Sequence, residues 1–137
     1  MATNNFPVFV QKPNVGWSGV MIAANTAVDG TGTVATAFTA GLNGGRIDRI
    51  RCKALGTNVA TVLRVFINNG GATTTASNNS LVSELALPAT TASPSAPITP
   101  DLALALGESV PPGYKVTLCI GTAGTDGWIF TCEGWDY

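Results

Sequence analysis

At 137 residues the chain has the length of one domain, and folding at that size buries roughly two thirds of the extended chain's surface, enough for a core without staples. Charged residues make up only 11% and the formal net charge is −1, so the surface must be polar through Thr, Ser, Asn and Gly, with little electrostatic protection against association. Histidine is absent, which removes the commonest general base and metal ligand. The three cysteines, Cys52, Cys119 and Cys132, show no CxxC spacing, which argues against a zinc site or a complete disulfide framework.

Residues 1–16 read as an extended N-terminal arm. Pro7 and Pro13 oppose regular interior pairing, while Phe6, Val8, Phe9 and Val10 give the arm something to bury, on its own sheet or on a neighbouring subunit. The segment has no basic leader and no continuous apolar core, so no signal peptide is expected. No apolar run reaches the ~18–20 residues a bilayer demands, and no membrane partner is expected.

Residues 17–137 read as a single β-sandwich domain. The stretch 17–23 sets Trp17, Gly19 and Met21 opposite Ser18, Val20 and Ile22, and 33–40 reads as its partner strand across the Asp29-Gly30-Thr31-Gly32 turn. The clearest pattern lies in 46–70. There Asp48, Ile50, Cys52 and Ala54 alternate with Ile47, Arg49, Arg51 and Lys53, and Leu63, Val65 and Ile67 alternate with Val62, Arg64 and Phe66. Period-two alternation means strands with one buried face, and Gly56-Thr57-Asn58 is turn chemistry, so these two strands are expected to form a hairpin.

A small-residue loop follows at 71–80, then a strand at 81–87 with Leu81, Leu85 and Leu87 inward. The Pro-rich stretch 88–100 suggests an extended crossing. Leu102, Leu104 and Leu106 alternate with alanines, which reads as a strand ahead of a helix, and 115–120 with 128–133 reads as the last strand pair. About eight strands and no long amphipathic helix predict an all-β, antiparallel two-sheet sandwich, jelly-roll-like, with the N-terminal arm outside it. The three cysteines read as free thiols from a reducing compartment, Cys52 as a small buried hydrophobe.

Catalytic signals are thin. None of the eight acids is paired by spacing, Asp29 and Asp126 sit beside Gly in turns, no GxSxG or DxDxDG run occurs, and no enzyme activity, metal or cofactor is expected. The one concentration of charge is basic. Arg49, Arg51 and Lys53 share a strand face, with Arg64 available from the neighbouring strand if the register allows, and Asp48 and Glu84 near enough to neutralise them. The net charge disfavours nucleic acid and points to a protein interface. Trp135 and Tyr137 close the chain and read as a cap on the sandwich, a subunit anchor or a sugar platform.

From about Asn25 onward, the runs GTGTVATAFTAG, GGRIDRIRCKALGTNVATVLRVFINNG, PPGYKVTLCIGTA and the closing GW…GWDY resemble a group of small all-β structural proteins of tailed bacteriophages. The resemblance implies a virion protein made in the host cytoplasm. Its leading expectation is a capsid decoration (cement) protein on the capsid surface, a homotrimer bound to the major capsid protein. A tail- or fibre-associated glycan- or receptor-binding module is the alternative. The expected contacts are Phe6, Val8 and Phe9 of the arm, the basic face Arg49, Arg51, Lys53 and Arg64, and the terminal Trp135 and Tyr137.

Overall fold

The alternation becomes eight strands in the computed structural model, which describes residues 9–137. They are β1 (Lys12–Met21), β2 (Ala35–Thr39), β3 (Gly45–Ala54), β4 (Thr61–Asn68), β5 (Asn79–Leu87), β6 (Leu102–Val110), β7 (Lys115–Ile120) and β8 (Trp128–Asp136). Two antiparallel four-stranded sheets result, ordered β1-β8-β3-β6 and β2-β7-β4-β5. Position for position the two orders hold consecutive strands, β1 and β2, β8 and β7, β3 and β4, β6 and β5. That is the two-sheet jelly roll.

This topology corrects the expected hairpins. β3 pairs with β6 and β8, and β4 with β5 and β7, so 46–55 and 61–68 lie in different sheets. The same holds for β1 with β2 and for β7 with β8. Alternation tells a strand that it has a buried face, and two strands satisfy it equally by facing each other across a core as by lying side by side. The β3–β4 connection crosses between the sheets, and the buried Asn58 holds it there. Its amide nitrogen donates to Gly127 O at 3.0 Å, and Gly127 N donates to its Oδ1 at 2.7 Å.

The expected arm is also shorter than read. β1 begins at Lys12, so 12–16 belong to the sandwich, paired with β8 from Lys12 opposite Asp136. Pro13 fits because β1 is an edge strand, where a missing N–H costs the ladder nothing. Of the arm's expected contacts, Phe6 and Val8 lie outside the described residues.

Bulges move side chains between faces. The β1–β8 register slips between Trp17 and Val20, around Gly19 at φ +72°. Met21 enters the core while Trp17 and Val20 stay outside, so Trp17 does not share Met21's face as read. The register of β3 slips between Ile47 and Arg49. Ile47 and Ile50, three apart, are therefore both fully buried, and Asp48 leaves the inner row where simple alternation placed it. A shift opposite Val65/Phe66 leaves Leu81 40% exposed, against the inward position expected for it.

Trp128 and Phe130 anchor the core from β8, their rings stacked with centroids 6.4 Å apart, among Ile47, Ile50, Leu63 and Leu118. The outer faces of the two sheets differ. Phe66, Thr117 and Cys119 alternate with core residues of β4 and β7, yet none is exposed. The β1–β2 loop crosses that side. Asn25 N donates to Ile120 O at 2.8 Å, Arg64 Nη1 donates to Asn25 O at 3.3 Å, and Gly30 lies against the Asn79 side chain. Asn25 itself is buried and folds the loop by donating to Thr31 O and Thr33 O at 2.8 and 2.9 Å. Among the described residues the β1-β8-β3-β6 sheet has no such cover over its outer side chains.

Candidate functional site

The bare face is built by register. Val15 stands opposite Glu133, Glu133 opposite Arg49, and Arg49 opposite Ala105. One row along, Trp17, Thr131, Arg51 and Ala103 follow the same order. Each strand thus contributes a column: apolar on β1, basic on β3, small on β6. Trp17 is 63% exposed, with Val15 and Val20 about as open. Large apolar side chains grouped at one sheet edge, beside arginines, are what a contact surface displays.

Between the columns the charges are matched. Glu133 accepts from Arg49 Nε and lies 3.7 Å from Arg51 Nη1. Asp48 takes Arg46 Nε at 3.0 Å on one oxygen and Trp135 Nε1 at 2.9 Å on the other. Lys53 Nζ lies 3.8 Å from Asp101 and donates to Ile98 O at 3.2 Å. Four cations therefore face three carboxylates, so the stripe is polar and ordered with little net charge. Ion pairs this exposed contribute about 0–1 kcal/mol each to stability. Their value is in holding guanidinium planes at fixed positions on the face. An open cleft of about 470 Å³ runs between Val15, Arg49, Glu133 and Trp135.

The residues singled out from sequence are thus divided. Arg49, Arg51, Lys53 and Trp135 come together on this face. Arg64 does not join them: it lies on the far side of the sandwich, with only 16% of its side chain exposed, bonded to Glu84 at 2.9 Å and to the β1–β2 loop. Glu84 neutralises Arg64 and takes no part in the basic stripe, whose carboxylates are Asp48, Glu133 and Asp101. Tyr137 is half-buried, its hydroxyl 2.8 Å from Ser109 Oγ and its backbone tied to Gly44 and Asn43. It closes one end of the sandwich. Phe9 is 70% exposed ahead of β1. Trp17, Val15 and Val20 were missed by the sequence reading. Their signal was Gly19, since a glycine inside an alternating strand marks a bulge.

All three cysteines are free and buried. Cys119 and Cys132 lie on strands of different sheets and are not bridged. Burial pushes the thiols of Cys52 and Cys132 up to about 12, from an ordinary 9.0, and raises that of Cys119 against the lowering effect of Arg64. A thiol reagent at neutral pH is expected to label none of them in the native protein and all three after unfolding. Unfolded thiols ionise near 9.0 while Cys52 and Cys132 stay protonated to about 12. Their contribution is therefore complete below pH 9 and declines as pH rises through that window. A urea midpoint that does not fall between about pH 8 and about pH 10 would contradict this.

Among the described residues no group of three His, Cys, Asp or Glu side chains could hold a metal, and no helix is long and apolar enough to cross a membrane. No family model, curated protein or solved structure matches the chain.

Proposed function

We propose that this chain is a structural binding module of a tailed-phage virion, decorating the capsid by docking its bare sheet face on the major capsid protein. The observation that carries the docking is the asymmetry of the sandwich. One outer face is roofed by the chain's own loop, and the other is left open by the described residues, with Trp17, Val15, Val20 and Trp135 beside a fixed row of arginines. Trp and Arg are the residues that most often dominate interface energies. The matched charge of the row favours a protein surface carrying both signs over a polyanion. The virion setting rests on the resemblance of the strand and turn runs to small phage structural proteins. The mechanism is mass action: a homo-oligomer that binds only the assembled lattice stabilises that lattice.

The test is co-sedimentation with capsids lacking the protein. Reversing Arg49→Glu and Arg51→Glu together abandons both contacts to Glu133 and places like charges side by side. We expect affinity to fall at least about 30-fold, the effect of losing one hot-spot residue. Trp17→Ala should act similarly with little change in melting temperature, since its ring is mostly in solvent. Unchanged binding in both variants removes this face from the interaction.

The cleft beside Trp135 favours a second reading, a glycan-binding module of the tail or fibre. An indole with Asp48, Arg49 and Glu133 alongside offers a sugar both a stacking surface and hydrogen-bonding groups. Glycan-array binding that disappears in Trp135→Ala would choose it over capsid docking.

A further inference from the structure

The two sides of the sandwich are finished differently. Where β1 meets β2 the sheets are laced together: Asn14 Nδ2 donates to Thr39 O at 2.9 Å, and a Cβ on Gly16 would run into the carbonyl oxygen of Ala37. Where β5 and β6 face each other, no hydrogen bond joins the two strands among the described residues. Leu85, Leu102, Leu104 and Leu106 pack against the core there and remain only partly buried. The core thus reaches the surface along one seam.

Edge strands need protection, because alternate residues turn their unpaired N–H and C=O groups outward as a template for another strand. β1 carries Lys12, Pro13 and a bulge, β2 is five residues long with a bulge, and β5 carries Glu84 and a bulge. β6 also carries a bulge, between Ala105 and Glu108 around Gly107, and an acid at Glu108, but both lie beyond residues 102–106, which are Leu-Ala-Leu-Ala-Leu with no charge and no proline. From Leu102 to Ala105 the register with β3 is unbroken.

We propose that β6 is the strand through which two copies of this chain associate, pairing antiparallel to form one continuous eight-stranded sheet. The occupant is identified by the run's self-complementarity. Opposed residues in an antiparallel pair must point to the same face. A two-fold axis at Leu104 meets this throughout: Leu104 meets Leu104, Leu102 meets Leu106 of the other copy, and Ala103 meets its Ala105. Asp101 then falls opposite Gly107, so the flanking acids do not confront each other. The half-exposed leucines are covered, and the alanines keep the outer face flush. The two bare faces, with their tryptophans and arginines, become one surface. Such a contact is isologous and closes as a dimer, in place of the three-fold assembly implied by the phage resemblance. It does not depend on the virion reading.

Analytical ultracentrifugation of the full chain tests it, with two variants. The wild type is expected at twice its chain mass of 14.0 kDa. Leu104→Lys, the kind of substitution that guards natural edges, should sediment at one chain mass with an unchanged far-UV spectrum. The double variant Ala103→Cys/Ala105→Cys should oxidise to a covalent dimer, with the buried native thiols not competing, and should do so far more completely than Ala103→Cys alone. A wild type that stays monomeric at the highest attainable concentration, or is a trimer, overturns the proposal. So does a dimer that survives in folded Leu104→Lys. If Leu104→Lys does not fold, the cross-link decides, and its failure in a dimeric protein also overturns the assignment.

Discussion

Asn58→Ala is expected to destabilise the protein by about 3 kcal/mol, read as a lower denaturant midpoint at unchanged slope. Asn58 is buried where three connections meet. Its side chain ties the β3–β4 connection to both backbone groups of Gly127 and reaches Thr90 Oγ1 at 3.3 Å. Its backbone exchanges two hydrogen bonds with Thr90, at 3.1 and 2.9 Å. Truncation leaves the N–H of Gly127 without its acceptor in a site that excludes water, while its C=O keeps the bond from Leu55 N at 3.0 Å, and an unsatisfied buried donor costs far more than an average hydrogen bond returns. Asn58→Asp keeps the acceptor for Gly127 N but loses every donated bond and buries a charge, so it should fare no better. Either variant retaining wild-type stability would mean that this end of the sandwich is held by the strands alone.

Trp128→Ala is expected to cost about 4 kcal/mol, close to the whole stability of many domains. Trp128 is among the largest fully buried side chains, stacked on Phe130 and opposed by Met21 and Ala54 on the neighbouring strands. Removing the indole opens a cavity that rigid sheets on both sides cannot collapse. Trp128→Phe should be far milder, about 1 kcal/mol, because Nε1 finds no acceptor among the described residues and losing an unpaired donor offsets part of the lost volume. Equal losses in the two variants would show that Nε1 is bonded after all. The loss of Trp128 fluorescence should also isolate the emission of Trp17 and Trp135, red-shifted because both rings meet solvent.

These residues show why some features were legible in the sequence and others were not. The strands of the β6 and β8 regions were found because Leu102, Leu104 and Leu106, and Trp128 and Phe130, repeat with a period of two, which any window of six residues displays. The two-sheet sandwich follows from eight such windows without a helix. Arg49, Arg51 and Lys53 were correctly grouped because they are neighbours on a single strand. Arg64 was misgrouped because its inclusion required β3 and β4 to be adjacent, and adjacency is not a property of either strand. Trp17 and Ile47 were misassigned because one bulge each displaced the alternation, and a one-residue slip reverses every side chain beyond it. Asn58 looked like an ordinary turn residue, since its partners Thr90 and Gly127 are 32 and 69 positions away.

By itself, then, the sequence determined what is local: which segments are strands, that each has an inner row, and that charge gathers on one of them. The tertiary structure alone decided which strands pair, that β1 and β2, β3 and β4, β5 and β6, and β7 and β8 face each other across the core, and that one outer face is roofed while the described residues leave the other open. The physical reason is range. A side-chain period is written in neighbouring residues, whereas pairing is chosen by the burial and backbone hydrogen bonding of segments far apart in the chain, such as β1 with β8 and β3 with β6.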